Sequence, residues 1–131
     1  MNKMNVNLLK DVNGVEFGCK RKDVRKKFGR KYKEMKKNQF SLNTMDAYED
    51  FHIFYDEDDC LEAIEFFGNA QVEVQGTIVF PANVETVKSI IPGVEKDSYG
   101  YMSKSHSVGF TVNDDGTIES ILIGREGYYQ D

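Results

Sequence analysis

The chain has 131 residues, 40% hydrophobic and 30% charged, with a formal net charge of −5. That size fits a single domain, residues 1–131, with a core of its own, and two isolated cysteines, Cys19 and Cys60, exclude a disulfide framework and a paired-thiolate metal motif. The charge is divided: residues 1 to 40 hold 13 Lys/Arg against 4 Asp/Glu, net +9, and residues 41 to 131 hold 4 against 18, net −14, a balance that repels phosphate and attracts basic partners.

At the N-terminal end, Asn5, Asn7, Lys10 and Asp11 interrupt any apolar run, so no secretory signal is read. No stretch approaches the eighteen apolar residues of a membrane span. With two free thiols this predicts a cytoplasmic protein with no membrane contact. Asn13-Gly14, between Val12 and the alternating Val15 and Phe17, predicts a short hairpin or an edge strand.

The stretch CKRKDVRKKFGRKYKEMKK, residues 19 to 37, carries eleven lysines and arginines. Within it Asp23 to Phe28 reads as a helix with Val24 and Phe28 on its buried face, and Gly29 is a natural stop. A helix running past Gly29 would extend the same stripe through Tyr32 and Met35. Either version turns the basic residues outward.

Residues 46 to 67 read as a hairpin. Phe51, Ile53 and Tyr55 alternate, Asp56-Glu57-Asp58-Asp59 form an acidic tip, and Leu61 to Phe67 return. Phe54 and Phe66 are expected on the face opposite Phe51, Ile53 and Tyr55. A second hairpin pairs Val72 and Val74 with Ile78 and Phe80 and ends at Pro81. Asn83 is the expected N-cap of a helix VETVKSII with Val84, Val87 and Ile91 inward, closed by Pro92-Gly93. Val108, Phe110 and Val112 then turn through NDDG to Ile118–Ile123.

Self-comparison shows a weak duplication. FYDEDDCLEAIEF, residues 54 to 66, aligns with TVNDDGTIESILI, residues 111 to 123, at a constant offset of 57, and VRKKFG aligns with VKSIIPG. The expected fold class is therefore α+β: two helices on a mostly antiparallel sheet, with half-repeats at residues 18–80 and 83–124. The phrase Gly18-x5-Val24-x4-Gly29 followed by strands resembles the opening of each repeat in the β-lactamase-inhibitor-protein-like fold, with Cys19-Lys20 where that pattern has a Ser or Thr cap. GVEFGCKRKDVRKKFG followed by the acidic hairpin also resembles small bacterial proteins, some of which accompany toxins as immunity proteins. The resemblance implies a non-catalytic, toxin-neutralising binding module.

Three constellations bear on chemistry. The basic segment 20–37 offers only Tyr32 for base stacking and no nucleic-acid reader motif, so its first reading is a solvated helix face; a nucleic-acid-binding adaptor is the alternative. Asp56–Asp59 fail as a calcium loop, since Leu61 stands where a Gly belongs and Phe67 where a bidentate Glu belongs; no metal site and no cofactor-binding motif is read. His52 and Cys60, which could meet across the hairpin, would be the core of a small enzyme, the last of three readings. The leading expectation is a protein that binds a toxin domain with a basic surface, such as a nuclease. Asp46, Glu49, Asp50, Asp56, Glu57, Asp58 and Asp59 would supply charge, and Tyr48 and Tyr55 the anchors.

Overall fold

The computed structural model describes residues 3 to 129. Thirteen strands and two helices follow in chain order: β1 (Lys3–Asn7), β2 (Asp11–Val12), β3 (Val15–Glu16), α1 (Arg21–Phe28), β4 (Lys33–Lys36), β5 (Thr44–Ala47), β6 (Phe51–Tyr55), β7 (Leu61–Phe66), β8 (Gln71–Val74), β9 (Thr77–Phe80), α2 (Val84–Ile90), β10 (Glu95–Lys96), β11 (Tyr101–Ser103), β12 (Val108–Val112) and β13 (Ile118–Gly124). The α+β class holds, with strands dominating and their pairing mostly antiparallel.

The strands form two sheets where the hydrophobic pattern predicts one. The larger has eight strands in the order β10-β11-β12-β13-β7-β6-β5-β4, all antiparallel. The smaller has the order β3-β2-β1-β8-β9, and its β1–β8 pair is parallel. The β8–β9 hairpin thus joins the N-terminal strands instead of extending the large sheet. Val6 and Val12 of one segment and Val72, Val74 and Val79 of the other share the same core, so burial fixes the association across the sequence gap.

Pairing registers show which residues share a face. Ile53, Ile64, Ile123 and Val108 lie in one row across four strands, and Phe51, Phe66, Ile121 and Phe110 lie in the next. These rows form the covered face, packed with Val24 of α1, Val87 of α2 and the valines of the small sheet in one continuous core. Phe66 corrects the expectation: it stands opposite Phe51 and so points inward with it. Phe54 does project to the other face, where it packs with Met45 and Ala63.

α1 begins two residues before the expected start and ends at Gly29, whose φ of 95° favours glycine. The longer helix is excluded, because Met35 lies in β4. α2 matches its expected start, with the Asn83 side chain accepting the Thr86 N–H. After each helix comes a four-strand meander, β4–β7 and β10–β13, and the two meet antiparallel at β7 and β13 in the middle of the sheet. Local hydrogen bonds recur between them. The Arg21 N–H donates to the Asp59 carbonyl as Val84 does to Gly116; Leu61 donates to Cys19 as Ile118 does to Ala82; Asp56 donates to Cys60 as Asn113 does to Thr117. Each meander also has a bulge at the same place, Phe54/Tyr55 and Thr111/Val112.

Candidate interaction surface

The acidic tip between β6 and β7 is held from three sides. Asp56 accepts the N–H groups of Asp58 and Cys60 at 2.9 and 3.0 Å, and its other oxygen accepts the Arg125 guanidinium at 2.7 Å. Burial opposes ionisation of Asp56, but those two N–H groups and Arg125 outweigh it and hold the carboxyl below its usual range. Asp59 adopts a left-handed φ of 65° and accepts Arg21 Nε at 2.8 Å and the Asn43 amide at 2.9 Å. Only Glu57 and Asp58 are left at the tip as exposed carboxylates with no side-chain partner among the described residues.

Behind the tip lies a charge network that the sequence reading did not find. Asp46 is fully buried, and Arg25 grips both its oxygens, at 2.7 and 2.8 Å. Tyr55 donates its hydroxyl to the same carboxylate at 2.9 Å, and Arg21 Nη1 stands 3.5 Å away. Arg21, itself buried, also binds Asn43, the Thr44 carbonyl and the Thr44 hydroxyl. The Asp46 carboxylate raises the Arg25 pKa further. Burial and Asp46 together push the Tyr55 phenol far up, so it stays a donor. Glu34 on β4 accepts Arg25 and the Thr44 hydroxyl, and these bonds lower its carboxyl. Helix α1, strand β5 and the tip are therefore tied at one corner by a fully partnered set of charges.

These contacts revise the expected site. Asp46 is a buried counter-ion and offers no surface charge. Tyr55 is buried over the Arg21 guanidinium, 4.0 Å from ring centre to carbon. Tyr48 is buried too, stacked on Phe51 and donating to the Gly29 carbonyl, and burial pushes its phenol up to about 12. Neither tyrosine can anchor a partner. Glu49 and Asp50 precede β6 and Asp56–Asp59 follow it, so a five-residue strand separates them by about 20 Å. Asp50 is committed to the turn after β7, where it accepts the Asn69 N–H. Glu57 and Asp58 are exposed at the tip, as expected. On the basic run, Arg21 and Arg25 turn inward, against expectation, while Lys20, Lys22, Lys26 and Lys27 stay exposed and Tyr32 packs beside the core under Arg25.

His52 and Cys60 do not meet. His52 pairs with Glu65 and packs against Phe54 and Phe67, and burial lowers its pKa. Cys60 is at the other end of the hairpin, bridged to Lys20. Among the described residues no cluster of His, Cys, Asp or Glu could hold a metal ion, and no helix is long and apolar enough to cross a membrane.

Between the tip and the β4–β5 turn a cleft of about 340 Å³ opens on the uncovered face of the large sheet. Met45, Phe54 and Tyr128 lie along it, and Glu57 and Glu62 stand on the tip side. Tyr128 comes from the C-terminal segment and lies so close over Gly124 that a Cβ there would meet its ring. The turn itself carries Phe40 and Leu42, each 80% exposed. No protein family, curated protein or solved structure matches the chain.

Proposed function

We propose that the chain is a non-catalytic protein-binding module that engages a basic protein surface through the acidic tip, and that its partner is a toxin domain it neutralises, in the manner of an immunity protein. The observation that carries this reading is the tip itself. Arg21 holds Asp59 and Arg125 holds Asp56 at its flanks, with Arg25 fixing Asp46 behind it, while Glu57 and Asp58 are exposed and without a side-chain partner among the described residues. A turn whose backbone is already fixed by Asp56 and Asp59 loses little conformational freedom on binding, and charge complementarity speeds association with a basic cleft. The scaffold reading goes with it: the two helix–meander halves are a tandem repeat, of which only the first carries the arginine-held tip. A toxin's basic cleft and the resemblance of residues 14–29 to immunity-type proteins supply the partner class.

The test is neutralisation. The protein is co-expressed with a candidate toxin domain sought among its neighbouring genes, and toxin activity is measured. Wild type is expected to abolish activity, and Glu57→Lys with Asp58→Lys is expected to restore most of it while the melting temperature stays the same. Full neutralisation by the double variant would remove the tip from the interface.

A further inference from the structure

The cleft beside the tip has an unusual occupant. Lys37, exposed at the start of the β4–β5 turn, lays its ammonium 4.7 Å from the centre of the Phe54 ring. It makes no ion pair among the described residues. An ammonium over an aromatic face is a cation–π contact, strongest where water is displaced. The charges facing this spot are Asp56, Glu57 and Glu62 against Lys37 and Arg125. Arg125 serves two of the carboxylates, Asp56 at 2.7 Å and Glu62 at 3.5 Å. Three carboxylates thus face two cations, and one cation once Lys37 is removed.

We propose that this cleft receives a cationic side chain, an arginine or a lysine, of the protein partner, and that Lys37 fills the same place on the Phe54 ring until the partner arrives. The inference rests on the protein-binding reading and adds to it the group recognised. The aliphatic stem of the incoming side chain would run along Leu42 and Met45, and its charge would meet Glu57 and Glu62. Burial raises the Glu62 carboxyl, Arg125 partly offsets that rise, Asp56 adds to it and Lys37 lowers it slightly, so an incoming cation that replaces Lys37 favours its ionised form. Leu42 in the cleft lining, and the exposed Phe40 two residues before it on the same turn, offer apolar contact for the partner's neighbouring residues.

The probe is Nα-acetyl-L-arginine methylamide, titrated into the isotopically labelled full chain and followed by amide chemical shifts. The citrulline analogue, equal in shape and neutral, is the control. The arginine compound is expected to bind with a Kd on the order of millimolar and to shift signals at residues 37–45, 54–57, 62 and 128. Citrulline should leave them in place. Lys37→Ala removes the internal competitor and should tighten arginine binding about two- to fivefold, whereas Glu57→Gln with Glu62→Gln should weaken it. Absence of shifts at the cleft, equal shifts from citrulline, or unchanged affinity in Lys37→Ala would each overturn the inference. Glu57 is common to this test and the neutralisation test, whereas Lys37 and Glu62 belong to the cleft alone; loss of the Lys37→Ala effect with neutralisation intact would overturn the cleft inference and leave the tip reading standing.

Discussion

The two helix–meander halves share a backbone pattern and differ in what holds it. In the first half Asp46 lies opposite Ile53, fully buried and gripped by Arg25. In the second, the residue opposite Phe110 is Tyr101, which stacks on that ring at 5.2 Å. Where α1 begins with Arg21, tied to Asp59, α2 begins with Val84, next to Gly116. One half is closed by paired charges and the other by apolar and aromatic packing. Buried ion pairs add little net stability over apolar contacts, yet removing one member is costly, which fits a corner whose geometry matters more than its strength.

The largest expected effect follows from that contrast. Asp46→Asn leaves Arg21 and Arg25 without their buried counter-charge and should lower unfolding free energy by about 3 kcal/mol in urea titrations. Tyr101→Phe, in the partner position of the second half, should cost less than about 0.5 kcal/mol. Equal losses would erase the distinction between the halves.

Next in size is the tip. Asp56→Asn weakens three hydrogen bonds to an ionised group and should cost about 1–2 kcal/mol at neutral pH. The folded-state carboxyl of Asp56 lies below its ordinary value of 3.8, so the ionised form favours folding above that pH and the benefit is lost as pH falls through the lower folded value. The gap between wild type and Asp56→Asn should therefore close in acid. Asn113, which occupies the same place in the second half, does not titrate, and Asn113→Ala should show a pH-independent loss. Melting curves from about pH 2.5 to 7 read both.

The smallest effect separates the helix starts. Asn83 caps α2 with its side chain, and Lys20 at the same place before α1 makes no such bond. Asn83→Ala should cost about 1 kcal/mol and Lys20→Ala almost nothing by thermal unfolding.

Much of this was legible in the sequence. The alternation in 51–55, 61–67, 72–74, 78–80, 108–112 and 118–123 marks strands because each has one face in the core, and Asn83 and Gly29 mark helix ends by their chemistry. Strand β4 gave no such signal, since Lys33, Glu34, Met35 and Lys36 are all exposed at the sheet edge, and lysines there guard the unpaired backbone. β5 was hidden for the opposite reason: a buried aspartate breaks the apolar pattern, and its partners lie 21 and 25 residues away. A clue was present in α1. Arg21, Val24, Arg25 and Phe28 fall at the spacing of one helix face, so two arginines share the stripe that packs inward. Reading the whole basic run as solvated missed them because propensity and charge carry no direction, whereas periodicity does. Tyr48 and Tyr55 were misplaced similarly; alternation put Tyr55 on the face of Ile53, and that is the covered face.

The proposal that the tip receives a basic partner is tested most directly by association kinetics with the proposed partner class, a candidate toxin domain with a basic surface. Rates are measured by stopped flow at low and high salt for wild type and for Glu57→Lys with Asp58→Lys. Charges exposed at the tip act within a Debye length of about 8 Å at physiological salt, so wild-type association should be fast and fall steeply with salt, while the double variant should be slower by about tenfold or more at low salt with a flattened dependence. Equal rates and equal salt slopes for the two proteins would contradict the account and place any interface away from the tip.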